Sequence, residues 1–282
     1  MSNTYKAFGV TYKKPTVGLL NTPNLAVAEV ASRTAYESLQ HSEHEHIRCW
    51  DGSTEVDDVE DSKLVTQLIH AYHHESIAEH MSFTFHIDNL SRGALQEVAR
   101  HRVSSPTVKS TRYTMSSVLY AYIASVVVGT GFTTFKYWVE LNNILVVTTS
   151  VIRDATISGM WSNLTAYHNL VGTAEFFSEV LAKDNLEYIR HVGSEPTFAE
   201  VLHVLSGGKT KKNAGDGVKG FLVTDAWATS MVWTINLRSL KNFMTLRDSG
   251  AAYHGIRELA RAIKEVLPDK YMKLIDKNHG SK

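Results

Sequence analysis

Cysteine is nearly absent: Cys49 is the single cysteine among 282 residues, which excludes an internal disulfide and is typical of a reducing compartment. Charge of one sign is not in excess, because 29 Lys and Arg residues balance 29 Asp and Glu residues, and this argues against a dedicated nucleic-acid binder. The N-terminal residues form no apolar signal core, and no apolar run reaches the roughly 18 residues of a membrane span. We therefore expect a soluble, cytoplasmic protein with neither a membrane nor a nucleic-acid partner.

Hydrophobic spacing predicts helices and strands that alternate irregularly along the chain. Helices are predicted over 24–40, 62–73, 92–102, 238–249 and 251–267, with a mostly helical stretch over 132–190. Strands are predicted over 81–89, 114–128 and 230–237, and a Gly- and Lys-rich exposed loop over 206–219. Because a regular βαβ rhythm is missing, we expect an α+β fold in a single domain over residues 1–282, with a central, mostly antiparallel twisted sheet flanked by helices.

Particular residues carry these predictions. Phe83, Phe85 and Ile87 alternate on one face of the first strand, as in a half-buried sheet. Gly250 is expected to end the helix before it. In the last helix, the spacing predicts an inward apolar face and places Glu258 on the outward face.

The densest polar cluster lies between residues 100 and 113. Arginine forks bind phosphates and carboxylates bidentately, and hydroxyls complete such sites. The cluster therefore points to an anionic ligand with several phosphates or carboxylates; the alternative is a salt-bridged helix end followed by a turn at Pro106. Arg102 falls on the apolar stripe of the predicted helix 92–102, where it either snorkels or meets a buried anion. The cluster contains Arg100, His101, Arg102, Ser104, Ser105, Ser110 and Arg112.

A second polar segment runs from His74 to His80. It resembles the zinc-protease pattern HExxH, but its histidines are six residues apart and do not share a helix face. We therefore predict no metal site here, and we interpret the histidines of 41–46 as members of a solvated loop. The segment is suited either to the edge of an active site or to a capped helix end.

A third segment, 236–247, is a predicted helix with two polar faces. Arg238 and Asn242 are four residues apart and share one face, whereas Arg247 lies on the face of Leu240 and Phe243. An arginine among core-facing residues needs an anion or a partner. The two faces are expected to meet two ligands, or one ligand and a subunit; the alternative is a surface helix.

Together and in this order, the three segments resemble the motifs of the flavin-dependent thymidylate synthase family. The chain has His74-Glu75-Ser76 with Glu79-His80, then Arg100-His101-Arg102 with Arg112-Tyr113, then Asn236, Arg238-Ser239-Leu240, Asn242-Phe243 and Leu246-Arg247. The resemblance covers roughly residues 24–115 and 219–267, and residues 116–218 match poorly.

The resemblance implies conversion of dUMP to dTMP. Methylenetetrahydrofolate would supply the one-carbon unit, and FAD reduced by NADPH would supply the hydride. A flavin route needs no cysteine nucleophile, and Cys49 has no activating context in its connector. The family also implies a homotetramer with active sites at subunit interfaces.

The resemblance assigns roles by position. Arg247 and His74 are implied as catalytic, with Arg247 beside the uracil ring. The residues implied to bind FAD are Ser76, Arg100, His101, Arg102, Asn236, Arg238 and Asn242. The residues implied to bind dUMP are Glu97, Arg100, Ser110, Arg112 and Arg247.

The chain departs from the family pattern at a few contact positions. Ile77 stands where the family often has proline, Thr107-Val108 replace an Asn-Glu pair, Gly220 replaces an arginine, and Ala251 replaces a histidine found in some members. Three other interpretations stay open: a member that has lost activity, a non-catalytic nucleotide- or RNA-binding module, and a metal-dependent hydrolase that uses His74 and His80.

Overall fold

The structure is a computed structural model that describes residues 2–193, 195–208 and 214–279, without the side chains of residues 112 and 113. The chain folds into two compact units, which we describe separately. The first contains Met1–Lys13 and Lys109–Thr229, and the second contains Lys14–Val108 and Ser230–Lys282.

The described strands form a two-stranded hairpin and a four-stranded sheet. They are β1 (Thr4–Ala7), β2 (Val10–Lys13), β3 (Thr16–Asn21), β4 (Ser82–Ser91), β5 (Ser104–Val108) and β6 (Ala228–Asn236). The hairpin pairs β1 with β2, and the larger sheet has the order β3-β4-β6-β5. β3 is antiparallel to β4 and β5 is antiparallel to β6, so the predicted α+β class with an antiparallel sheet is confirmed.

The described helices surround these strands. They are α1 (Leu25–Ala35), α2 (Glu45–Arg48), α3 (Lys63–His70), α4 (Arg92–Val98), α5 (Thr111–Val127), α6 (Gly131–Leu141), α7 (Ser150–Val171), α8 (Thr173–Val180), α9 (Lys183–His191), α10 (Phe198–Gly207), α11 (Lys219–Leu222), α12 (Leu237–Arg247), α13 (His254–Val266) and α14 (Asp269–Ile275). Two 3₁₀ turns cover Leu39–His41 and Glu75–His80.

The second unit is built on the central strands of the four-stranded sheet. Phe83, Phe85 and Ile87 of β4 are fully buried, as their alternation predicts, and Trp233 of β6 packs among them. β5, which contains Pro106, lies at the edge of the sheet. Proline is tolerated on an edge strand because no further strand on the open side needs a hydrogen bond from its missing N–H.

Helix α13 covers this core with the predicted apolar face. Ile256, Leu259 and Ile263 are fully buried. The expectation that Glu258 faces outward is wrong: its side chain is buried, and its Oε1 accepts a 2.7 Å hydrogen bond from Arg261. This ion pair lets the carboxylate lie at the edge of the apolar face.

Two predicted helix ends are wrong. Helix α4 is capped by Ser91, since the Ala94 N–H donates to Ser91 Oγ, but it ends at Val98. Arg102 therefore lies beyond the helix and does not extend its apolar stripe. Helix α12 ends at Arg247, so Gly250 is not its C-terminal stop.

The first unit has a core of its own. The predicted strand over 114–128 is wrong, because residues 114–127 belong to the 17-residue helix α5. Its β-branched and aromatic composition misled the prediction: Val118, Leu119 and Tyr120 are buried on several sides of the helix, so no amphipathic period of 3.6 is visible. The mostly helical stretch over 132–190 is confirmed, with Phe135 and Trp138 in the core.

The Gly- and Lys-rich segment is only partly a loop. Helix α10 extends to Gly207 and α11 begins at Lys219, whereas residues 209–213 of the predicted loop lie outside the described residues. Because each unit buries its own hydrophobic cluster, the expectation of a single domain over 1–282 stays a prediction.

Candidate functional site

The second unit contains a cavity of about 550 Å³, which we call the arginine cavity. Its walls come from two segments that are more than 130 residues apart in sequence, the end of α4 with the residues after it, and helix α12. It is lined by Glu97, Arg100, His101, Arg102, Val103, Ser239, Asn242, Leu246 and Arg247.

Local hydrogen bonds fix the first wall. The His101 N–H donates to the carbonyl of Val98 at 3.0 Å, which continues the chain from α4 in a tight turn. Ser104 Oγ donates to the carbonyl of His101 at 2.6 Å where β5 begins. The three basic side chains of residues 100–102 are therefore held on a short connector between a helix and a strand.

Helix α12 forms the second wall. Asn236 caps it, because its Oδ1 accepts a 2.9 Å hydrogen bond from the N–H of Ser239. Leu240 and Phe243 are fully buried and anchor the helix. With that face in the core, Asn242 is left to line the arginine cavity.

Arg247 joins the two walls. Its Nη1 lies 2.9 Å from Glu97 Oε2, and its Nε donates to His101 Nε2 at 3.1 Å. The other oxygen of Glu97 lies 3.7 Å from Arg100 Nη1. Glu97 is thus the carboxylate shared by Arg100 and Arg247. It is the anionic partner that an arginine among core-facing residues was expected to need.

His101 is the neutral partner in this network. Because its Nε2 accepts from Arg247, the imidazole proton is on Nδ1. The ring also packs edge-on against Phe243, with centroids 5.0 Å apart. Burial and the charge of Arg247 lower the pKa of His101, against the opposing effect of Glu97, so the neutral form is favoured.

A second cavity of about 360 Å³ lies in the same unit; we call it the histidine cavity. It is lined by Ser32, Ala35, Tyr36, Leu68, His73, His74, Glu75, Ser76, Ile77 and Arg238. Three predicted site residues therefore lie together here: His74, Ser76 and Arg238.

Arg238 is held by carboxylates in this region. Its Nη1 donates to Glu79, and its Nε lies 3.7 Å from Glu75 Oε2. Lys241 Nζ donates to the second oxygen of Glu75 at 3.0 Å, and this hydrogen bond lowers the pKa of Glu75. The 3₁₀ turn Glu75–His80 is thereby tied to α12.

His74 is positioned by one side-chain contact and one backbone contact. Its Nδ1 lies 3.1 Å from the hydroxyl of Tyr36, and its N–H donates to the carbonyl of Leu68 at 2.9 Å.

The described residues contain no group of three or more His, Cys, Asp or Glu side chains arranged to hold a metal ion. In that same part of the chain, no helix is long and apolar enough to cross a membrane.

The structure divides the sequence-predicted residues between these cavities. Glu97, Arg100, His101, Arg102, Asn242 and Arg247 line the arginine cavity. Asn236 lines neither cavity and caps α12 instead. Ser110 belongs to the first unit, and the side chain of Arg112 lies outside the described residues.

Helix α12 contributes residues to both cavities. Arg238 and Arg247 do line different cavities, as their opposed helix positions predict. Arg238 and Asn242 share a helix face as predicted, but they line different cavities, because Asn242 lies with Arg247 in the arginine cavity. The two positions are about 40° apart around a helix, and the cavity boundary falls between them.

Sequence reasoning missed several lining residues. Val103, Ser239 and Leu246 line the arginine cavity, and Tyr36 and His73 line the histidine cavity. Ser239 could have been chosen from its motif, since it stands next to Arg238. Leu246 likewise stands in its motif, next to Arg247. Val103, Tyr36 and His73 carry no local signal and are brought in by the folding of distant segments.

Comparison with known proteins decides the family. The family model described as thymidylate synthase complementing protein matches residues 19–271, which is most of the chain. The chain belongs to this family, the flavin-dependent thymidylate synthases. The match includes the segment 116–218 that sequence motifs could not place.

Relatives named flavin-dependent thymidylate synthase align over nearly the full length. The Campylobacter jejuni (strain RM1221) protein is 29% identical over 255 residues, covering 90% of this chain and 91% of its own. The Wolinella succinogenes protein is 28% identical over 256 residues, covering 91% and 95%. These alignments cover nine-tenths or more of both chains.

Solved structures agree on the fold. The crystal structure of ThyX from Helicobacter pylori with FAD and dUMP superposes with a TM-score of 0.58 at 23% identity, covering 94% of this chain and 99% of that one. At this identity the likeness supports the fold alone, which is that of a flavin-dependent thymidylate synthase.

Proposed function

We propose that this protein converts dUMP to dTMP, with methylenetetrahydrofolate as the one-carbon donor and FAD, reduced by NADPH, as the source of the hydride. The observation that carries the proposal is the arginine cavity, where Arg247 meets Arg100, His101, Arg102 and Asn242. These residues come from two of the family's motifs, and both motifs contribute to one concave surface. Family membership and the binding of FAD and dUMP by the Helicobacter pylori protein add support.

The cavity's charges fit a nucleotide. Arg100 is three-quarters exposed, so its fork is open to a phosphate, whereas Arg247 is held at a depth where one-fifth of its side chain is exposed. In the proposal Arg247 lies beside the uracil ring, where a fixed cation stabilises negative charge that develops on the pyrimidine. Glu97 and Arg100 contact dUMP in the same cavity, and Ser110 and Arg112 bind its phosphate.

The donor set also fits FAD. Arg100, Arg102 and Arg238 present cations suited to its pyrophosphate, and Asn242 and Ser76 add neutral hydrogen-bonding groups. When bound, FAD supplies the hydride chemistry that no side chain of this protein provides. His101 contributes a neutral Nδ1–H donor at the cavity wall, and His74 stands in the histidine cavity next to Ser76.

The single cysteine supports a flavin route. Cys49 is exposed and lines neither the arginine cavity nor the histidine cavity. A nucleophilic thiol needs a partner that lowers its pKa, within reach of the substrate. The proposed reaction therefore does not depend on attack by Cys49.

The proposal includes a cytoplasmic homotetramer with active sites at subunit interfaces. The proposed FAD contacts are divided on one chain between the arginine cavity and the histidine cavity. An FAD bound between two subunits would contact the arginine cavity of one subunit and the histidine cavity of the other. The separation of the contacts on one chain therefore supports an intersubunit site.

The test is dTMP formation by purified protein from dUMP, methylenetetrahydrofolate and NADPH without oxygen, with and without added FAD. FAD-dependent dTMP would establish the reaction. Bound FAD without dTMP would indicate a member that has lost activity, with Thr107, Val108 and Gly220 as the first positions to change. Salt-dependent RNA binding without flavin would favour a nucleic-acid module, and a stoichiometric metal would favour a hydrolase.

A further inference from the structure

The first unit contains a small cavity that the proposed reaction does not use. We call it the Lys13 cavity; its volume is about 90 Å³, room for roughly three waters at ~30 Å³ each. This is too small for a nucleotide and suits a ligand of a few heavy atoms. Its lining residues are Lys13, Val139, Glu140, Asn143, Leu145, Val147, Thr148, Arg153 and Ile157.

The backbone around this cavity is fixed by hydrogen bonds. The N–H of Lys13 donates to the carbonyl of Val146 at 2.8 Å, and the N–H of Thr148 donates to the carbonyl of Thr11 at 2.9 Å. The hairpin strand β2 is thereby joined to the segment that leads into α7. Lys13, on β2, and Arg153, in the first turns of α7, therefore line one cavity as a consequence of regular pairing.

The cavity has an apolar floor. Val139, Leu145 and Ile157 are almost completely buried. Water is excluded from that side, so a charge at the mouth is screened less than it would be on an open surface.

Positive charge exceeds negative charge at the mouth. Lys13 Nζ donates to Asn143 Oδ1, a neutral acceptor, and within the described ranges no carboxylate is among the groups that shift the pKa of Lys13. Arg153 Nη2 lies 2.8 Å from Glu140 Oε1, an ion pair without hydrogen-bond geometry. In the part of the chain described here, Glu140 Oε1 and Arg153 Nε are both buried without a hydrogen-bond partner. Arg153 Nη2 also lies 3.4 Å from Asp154 Oδ1, a carboxylate that does not line the cavity. Among the lining residues, the cations Lys13 and Arg153 therefore face one carboxylate, Glu140.

Two further observations also indicate excess positive charge at the cavity mouth. Burial, followed by the charge of Arg153, lowers the pKa of Lys13, as expected for an ammonium group near a second cation. Helix α7 begins beside the cavity with no acidic residue in its first turn, and the Thr149 hydroxyl accepts from the Thr11 N–H instead of capping the helix. The positive end of the helix dipole is thus not compensated there.

We propose that the Lys13 cavity binds a small oxyanion of the phosphate or carboxylate class, held by Lys13 Nζ and Arg153 Nε. Such a ligand supplies Lys13 with the anionic partner it lacks and satisfies the buried Nε of Arg153. The binding is independent of the arginine cavity and of the proposed reaction.

The test measures reductive methylation of individual lysines by mass spectrometry after brief exposure to formaldehyde and cyanoborohydride. The full-length protein is labelled in a phosphate-free buffer, then with inorganic phosphate or acetate added at constant ionic strength, with chloride as the reference salt. A bound oxyanion shields Lys13 and raises its pKa. At an oxyanion concentration of ~10 times Kd, the labelling of Lys13 should therefore slow about tenfold. Lys63, which lies 3.2 Å from Glu43 Oε1 and outside the cavity, should label at the same rate throughout.

Two variants sharpen the result. Arg153→Gln should remove the protection of Lys13, whereas Lys63→Gln should leave it intact; circular dichroism checks that both remain folded. Protection by either oxyanion and not by chloride, lost only in Arg153→Gln, supports the proposal. Equal labelling of Lys13 in all three salts, or protection that survives Arg153→Gln, overturns it.

Discussion

Arg247 donates through Nε to the Nε2 of His101 at 3.1 Å, across 146 residues of sequence. This hydrogen bond requires a neutral imidazole, and it joins the basic segment after α4 to the end of α12. It explains how an arginine among core-facing residues is aimed at a cavity, because its remaining guanidinium nitrogens are left for Glu97 and for a ligand.

The first prediction concerns pH. Because burial and Arg247 lower the pKa of His101 below its usual 6.5, the unfolded chain binds the proton more readily. The contribution of His101 to stability is therefore present above pH 6.5 and is lost as pH falls from 6.5 through the lower folded pKa. His101→Gln keeps an acceptor but cannot titrate.

The measurement is urea unfolding of both proteins between pH 5 and 7.5. The wild-type midpoint should fall more steeply towards acid than the His101→Gln midpoint, and comparing the two removes the contribution of the other histidines. Parallel curves would show that His101 does not titrate as proposed.

Glu97 should matter more for turnover than for stability. Glu97→Ala removes the carboxylate that holds Arg247, and we expect turnover to fall about tenfold or more, equivalent to ~1.4 kcal/mol. Because the pair is partly exposed, the free energy of unfolding should change by no more than ~1 kcal/mol. Glu265→Ala, at an exposed position on α13, is the control, and equal effects of both variants on turnover would contradict the role of Glu97.

Arg238 should contribute to FAD binding. Charge-assisted hydrogen bonds contribute ~1.5–3 kcal/mol, so Arg238→Ala should weaken FAD binding about ten- to a hundredfold. Quenching of flavin fluorescence measures the affinity. The matched control is Arg261→Ala, which removes an arginine that also pairs with carboxylates but lines neither cavity. Unchanged FAD affinity in Arg238→Ala would contradict this prediction and would show that the role of Arg238 is purely structural.

Cys49 should be dispensable. Cys49→Ser removes the only thiol of the protein and changes an exposed position outside both cavities. We expect unchanged turnover, measured as dTMP formed per minute at saturating substrates. Loss of turnover in a folded Cys49→Ser protein would support a thiol nucleophile.

Local patterns predicted much of the fold. The alternation in β4 and the apolar face of α13 were readable because one face of each element is buried and the other is not. α5 was misread as a strand because it is buried on several sides, and its length of 17 residues exceeds that of an ordinary strand. The end of α4 was placed too late because Arg102 happened to continue its spacing.

The site was predicted as three segments, and its geometry was not. Motifs identified Arg100, His101, Asn242 and Arg247, but no sequence spacing shows that Glu97 pairs with Arg247. That contact depends on how α4 and α12 pack around one cavity. The same holds for Leu246, whose place in the cavity wall depends on tertiary structure.

The most direct test of the central claim is to compare wild type with Arg247→Ala, measuring bound FAD from its absorbance and dTMP formed per bound FAD in the same samples. We predict that both proteins bind FAD and that only the wild type forms dTMP. Wild-type yields of dTMP from Arg247→Ala would contradict the account.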